Sequence, residues 1–170
     1  MTKEQVLKIC PGAVKADLYA PLLDKYMKEY GITGRLRESA FIAQILHESG
    51  CLRYTEEIAS GREYEGRKDL GNDVPGYGIK YKGRCLIQIT GYFNYVAISK
   101  SLKVDFIHHP EKLAEIPWCV EGACWWWINH GLNVLADNGE FKTITRRING
   151  GLNGYNDRVK YYKRALKILS

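Results

Sequence analysis

Apolar residues recur along most of this chain at helical spacing, with one alternating stretch near the middle. Thr2 followed by Gln5 has the form of a capping box and predicts a short first helix, closed by Pro11-Gly12. "ADLYAPLLDKYMKEYG" predicts a second helix ending at Gly31, and a third is expected from about Leu36 to Ser49. "GNDVPGYGIKYKGRCLIQITG" is rich in glycine and then alternates, which predicts a loop followed by a short hairpin. In that hairpin Arg84, Leu86, Gln88 and Thr90 share one face, and Cys85, Ile87 and Ile89 the other. Helices resume near Tyr92, at Pro110 as a first-turn proline, from Trp118 to His130, from Phe141 to Ile148, and from Tyr155 to the end. The pattern predicts a mainly α fold with one small β element.

Three of these helices carry more than a boundary. From Trp118 to Ile128 apolar residues lie all round the helix, so the tryptophans of "CWWWINHG" read as core in preference to a sugar-stacking platform. In the last helix Tyr155, Val159, Tyr162, Leu166 and Leu169 form one stripe, while Lys160, Lys163, Arg164 and Lys167 lie off it. One side is expected to pack and the other to face solvent with a basic surface. In the third helix Phe41, Ile45 and Glu48 are four and three residues apart, so at about 100° per residue an acidic side chain continues the apolar face.

Composition narrows the setting without choosing a partner. With 170 residues and 45% hydrophobic content, the chain suffices for one ordinary core, and a single domain spanning 1–170 is expected. Neither a linker nor a repeat marks off a separate wall-binding module. An excess of 25 basic over 19 acidic residues gives +6, which favours a polyanionic surface such as nucleic acid, acidic lipid or bacterial wall. "MTKEQVLKIC" has no signal-peptide form and no apolar run approaches about 18 residues, so a chain made in the cytoplasm without stable membrane insertion is expected. Five scattered cysteines without a CxxC pair predict reduced, mostly buried thiols, not a disulfide framework or zinc knuckle.

Glu48 is the first candidate for chemistry. A carboxyl on an apolar face loses solvation, which favours the protonated form that a general acid needs. A structural glutamate satisfied by an arginine or a backbone group would have the same spacing, and the pattern leaves both readings open. A glycosidase also needs a second carboxylate, and "CLRYTEEIASGREYEG" offers Glu56, Glu57, Glu63 and Glu65. On an unbroken helix Glu57 would lie about two and a half turns beyond Glu48, on the opposite side. Gly50 stands where a helix-ending residue belongs and frees the chain to turn back. Glu56, Glu63 and Glu65 read as exposed loop charges. His47, His108, His109 and His130 raise zinc chemistry, but "HESGC" lacks the HExxH spacing, and no nucleic-acid motif is present.

Taken together, "FIAQILHESG", "YEGRKDLGN", "PGYGIKYKGRCLIQITGYFNY" and "RRINGGLNG" resemble the glycoside hydrolase family 19 chitinase-like proteins, and more closely the phage and prophage endolysins of that group. The resemblance extends from about Ile32 to the C-terminal helix. It implies a mainly α, lysozyme-like domain of two lobes, with a sugar-binding cleft between them and a small β-hairpin beside it. By position it implies Glu48 as general acid, Glu57 as second carboxylate, and Thr90 as the hydroxyl that holds a water. It further implies Gln88 and Asn94 as substrate contacts and Asn149 and Arg158 as the C-terminal wall of the cleft, with Arg84 or Arg158 orienting the acid. Two departures stand out: plant chitinases carry their second glutamate in a longer insertion, and Cys85 occupies a position where glycine is usual. The activity implied is endolysin-type hydrolysis of the β-1,4 bond of peptidoglycan, with inversion and without metal or organic cofactor. Chitin hydrolysis is the nearest alternative and lytic transglycosylation a further one. A monomer that acts on the wall outside the inner membrane, exported through a holin-type pore, completes the expectation.

Overall fold

Thr2 opens the first helix as the capping box requires. Its hydroxyl accepts from Gln5 N at 3.2 Å, and Gln5 Oε1 accepts from Thr2 N at 2.8 Å, so two otherwise orphaned amides are satisfied. The structure is a computed structural model and describes residues 1–169. In order the helices are α1 (Lys3–Ile9), α2 (Ala16–Glu29), α3 (Arg35–Glu48), α4 (Tyr77–Lys80), α5 (Tyr92–Leu102), α6 (Trp118–Asn129), α7 (Leu132–Asp137), α8 (Phe141–Asn149) and α9 (Tyr155–Ile168). Short 3-10 turns occupy Arg62–Tyr64, Lys68–Leu70 and Pro110–Ala114.

Two helices run through the core. Ser39 to Leu46 of α3 are buried without interruption, and α3 packs along α9. On α6 Trp125, Trp126 and Trp127 are all buried, as an apolar circumference predicts. Phe41 meets Trp127 edge to face at 5.3 Å, which joins α3 to α6.

The structure differs from the sequence pattern in four places, the first being the helix expected at Pro110, which is the short 3-10 turn Pro110–Ala114. The expected hairpin is replaced, among the described residues, by two isolated antiparallel bridges, Glu56 to Arg84 and Arg84 to Ile89. Arg84 N donates to Ile89 O at 3.1 Å and Ile89 N to Arg84 O at 2.8 Å, closing a tight turn. Cys85 begins that turn at φ +87°, a conformation that glycine tolerates best. The alternation misleads because Cys85, Leu86, Ile87 and Ile89 are all buried, so neither set faces solvent.

On α9 the buried stripe is Arg158, Tyr161 and Ala165, with Leu169 beyond the helix end, while Tyr155, Val159 and Tyr162 flank it. An arginine at the centre of a buried stripe is hidden from a reading that sorts charges to the surface. The helix stops at Ile168, and Ser170 lies outside the described residues. Finally, α4 and α7, of four and six residues, are too short to show a period.

Candidate active site

Glu48 is the last residue of α3, and its side chain is only 16% exposed. Its Oε1 accepts from Arg158 Nη2 of α9 at 2.5 Å. Arg158 is itself 1% exposed, and all three of its nitrogens have partners. Nη1 donates to Gln44 Oε1 at 2.5 Å and Nε to Asn153 O at 3.3 Å. The Gln44 amide then donates to Thr145 Oγ1 at 2.9 Å, and that hydroxyl donates to Phe141 O at 3.0 Å. Gln44 and Glu48 are one helical turn apart, which is why one guanidinium spans both. The desolvation expected of Glu48 from its stripe is thus met by a cation, the arginine partner that the spacing had left open, and the carboxyl is fixed in orientation from α9 through α8.

Beyond Glu48 the chain reverses through three successive left-handed residues, Gly50 (φ +56°), Cys51 (+63°) and Leu52 (+64°). Ser49 ties this turn to the helix: its hydroxyl donates to Ile45 O at 2.6 Å and accepts from Leu52 N at 2.9 Å. The returning segment then docks on residues 83–85, with Cys85 N donating to Thr55 O at 2.7 Å and Glu57 N to Gly83 O at 2.9 Å. Both oxygens of Glu57 are held, Oε1 by Gly83 N at 2.6 Å and Oε2 by the Tyr64 hydroxyl at 3.0 Å. Burial, followed by the adjacent Glu57 charge, pushes the Tyr64 phenol up to about 12, so it remains a donor at neutral pH.

Glu56 is not a loose loop charge, since Lys82 Nζ and Arg84 Nη2 each lie 3.1 Å from its Oε1. Arg84 also donates to Lys80 O and to the Tyr95 hydroxyl, both at 2.9 Å. Arg84 therefore braces the segment that carries Glu57, and among the described residues the arginine paired with Glu48 is Arg158. Glu65 is likewise engaged, accepting from Gly76 N and Ile79 N at the start of α4. Glu63 is exposed, as expected.

Gly83 is the point on which the remaining groups converge. A Cβ placed there would lie 2.5 Å from Gln88 Oε1, 3.2 Å from Thr90 Oγ1 and 3.3 Å from Glu57 Cδ. Gln88 Oε1 is buried and has no partner among the described residues. An acceptor in that state costs about 1–3 kcal/mol, and Ser39 Oγ and Arg84 Nε share that state among the described residues. Glu48, Glu57 and Gln88 line a common cleft of about 330 Å³, together with Tyr54, Glu56, Ile58 and Ala59.

Thr90, Arg84, Arg158, Asn94 and Asn149 are not among the residues lining this cleft, although Thr90 Oγ1 stands beside Gly83 next to Gln88. The Asn94 amide donates to Thr90 O at 2.7 Å, steadying the backbone of the water-holding candidate. Asn149 is exposed at the end of α8, where its Oδ1 accepts from Asn153 N at 3.3 Å. Sequence reasoning missed Gly83, Tyr64, Tyr54, Gln44 and Thr145. Of these, Gln44 carried a usable signal, because it is polar on a buried helix and four residues before Glu48.

No family model matches the chain. Among curated proteins it is 34% identical over 188 residues to a "Glycosyl hydrolase family 19 domain-containing protein" of Haemophilus influenzae, covering 92% of this chain and 90% of that protein. It is 36% identical over 138 residues to an endochitinase of Arabidopsis thaliana, covering 78% of this chain but 47% of that protein. The chain thus spans about half the length of that plant relative. Chitinase C from Streptomyces griseus HUT6037 has a similar fold, with a TM-score of 0.77 at 21% identity, over 98% of this chain and 75% of that one. The class IV chitinase of Zea mays superposes with a TM-score of 0.66 at 24% identity, over 99% of this chain and 81% of that one.

Proposed function

The chain belongs to glycoside hydrolase family 19, and from that premise we propose that it is an inverting muramidase, hydrolysing the β-1,4 bond between N-acetylmuramic acid and N-acetylglucosamine in bacterial peptidoglycan. The observation that carries this reading is that Glu48 and Glu57 line one cleft, each with its carboxylate fixed by separate elements. Glu48 protonates the leaving glycosidic oxygen. Arg158 stabilises the carboxylate that remains when the proton departs and holds it in place.

On the other side of the bond, Glu57 takes a proton from the attacking water and the Thr90 hydroxyl positions that water beside Gly83. Gly83 N and Tyr64 hold the base in its acceptor orientation. The unpartnered Gln88 Oε1 takes an N–H of an N-acetyl group or a bridging water. The net charge of +6 favours an anionic wall over neutral chitin. In its biological setting the protein acts as a monomeric endolysin, reaching the wall through a holin-type pore.

A second reading, chitin hydrolysis, is favoured by the Arabidopsis and Streptomyces relatives, whose names are endochitinase and chitinase. Purified peptidoglycan and chitin, digested side by side and resolved by mass, separate the two. The proposal expects disaccharide-peptide fragments carrying one added water and little release from chitin. Chito-oligosaccharides with an intact wall would assign the enzyme to chitin, and fragments one water lighter would assign it to transglycosylation.

A further inference from the structure

Cys10 caps the C-terminus of α1, and Cys51 lies in the left-handed turn that follows α3. Their sulfurs are 2.8 Å apart, well inside the ~4 Å of an ordinary heavy-atom contact. This is the one sulfur–sulfur hydrogen bond among the described residues. The backbones are already matched, since Val14 N donates to Cys51 O at 3.0 Å and Ala13 N to Cys10 O at 2.9 Å. Tyr161 of α9 places its hydroxyl 3.3 Å from Cys51 Sγ, so a third element holds the pair. Cys85, Cys119 and Cys124 are buried, and the Cys85 thiol donates to Cys119 O. Cys10 is buried as well, whereas Cys51 is partly exposed.

We propose that Cys10 and Cys51 form a disulfide site that clamps the turn joining Glu48 to the segment carrying Glu57. The oxidant is a small-molecule disulfide such as oxidised glutathione. Cys51, the accessible partner, attacks as thiolate; the external S–S bond breaks, one glutathione leaves as thiol after taking up a proton, and a mixed disulfide remains on Cys51. Cys10 then loses its proton and attacks Cys51 Sγ, releasing the second glutathione as thiol. Two protein thiols are oxidised and one external disulfide is reduced to two thiols. Burial, with the Cys51 contact second, pushes the Cys10 thiol up to about 11, which fits it to the second step, where proximity replaces acidity.

Closure needs an approach of roughly 0.8 Å, given an S–S bond of about 2.05 Å. The bond would span 41 residues and hold Gly50, Cys51 and Leu52 in a conformation that L-residues otherwise leave readily. Which form is present follows the thiol–disulfide poise of the compartment, so the clamp is open under cytosolic reductant and closed where the surroundings oxidise.

The test uses the whole protein, reduced, desalted and incubated natively with oxidised glutathione, then alkylated and analysed by intact mass and peptide mapping. The expected product is two hydrogens lighter, with a Cys10–Cys51 linked peptide pair and a Tm about 5–10 °C above the dithiothreitol-treated form. Cys10→Ser should stop at a stable glutathione adduct on Cys51, and Cys51→Ser should give neither adduct nor link at this site. A lasting glutathione adduct on the parent protein, no change in mass, or a link through Cys85, Cys119 or Cys124 would overturn the proposal. Because the parent is reversible by dithiothreitol, its two forms decide the matter even where a serine variant folds poorly.

Discussion

At Glu48, replacement by glutamine tests proton donation with little change of shape. The amide oxygen of Glu48→Gln still accepts from Arg158, but no acidic proton is available. We expect kcat to fall on the order of a hundredfold or more, with the circular dichroism spectrum and Tm close to the parent. A folded variant with near-parental turnover would remove Glu48 from the mechanism. Gly83→Ala probes the opposite wall. Its φ is not left-handed, so the cost comes from crowding: the new Cβ lies 2.5 Å from Gln88 Oε1 and 3.3 Å from Glu57 Cδ. Displacing those groups should lower kcat/KM on the order of tenfold or more, measurable on soluble muropeptides. The position of Glu48 was legible because its place on an apolar stripe is a property of local spacing, whereas its arginine partner, 110 residues away, was not. Gly83 and Tyr64 were not, since they meet Glu57 only after the chain has reversed, and Gln88 Oε1 becomes an orphan acceptor only in the folded cleft.

Between elements, the contact of α3 with α9 determines where Glu48 stands. Gln44 sits inside this contact, accepting from Arg158 and donating to Thr145. Gln44→Leu keeps the volume but leaves the buried Arg158 Nη1 without its acceptor and takes from the Thr145 hydroxyl its incoming donor, while that hydroxyl keeps its bond to Phe141 O. A loss of about 1–3 kcal/mol in urea unfolding is expected, with kcat reduced more than KM is raised because Arg158 no longer holds Glu48 in one orientation. An unchanged kcat in the folded variant would show that the acid is positioned without it. Most helix boundaries were legible, because capping at Thr2, the release at Gly50 and the apolar girdle of α6 are local signals. The buried face of α9 was not, because Arg158 is stabilised by residues 110 and 114 positions away. The hairpin failed for a related reason: burial on both faces erases the contrast on which a period of two depends.

For the molecule as a whole, surface charge and cleft chemistry make separate predictions. A net charge of +6 should draw the enzyme to an anionic wall, so lysis of whole walls should slow as salt rises toward about 0.5 M. Cleavage of short soluble muropeptides should change far less over the same range, because they lack the polyanionic surface of the wall; equal salt sensitivity would place the effect within the cleft. Exhaustive dialysis against a chelator should leave the rate on either substrate unchanged, since the proposed steps use carboxylates, a hydroxyl and amides. Activity lost on dialysis and restored by zinc would contradict this. The most direct measurement is the anomeric form of the newly made reducing end, read by proton NMR in the first minutes of digestion, before mutarotation. Water delivered by Glu57 and Thr90 to the face opposite Glu48 must yield the α-anomer from a β-linkage. Initial formation of the β-anomer, or of an anhydro sugar with no reducing end, would contradict the division of labour between the two carboxylates.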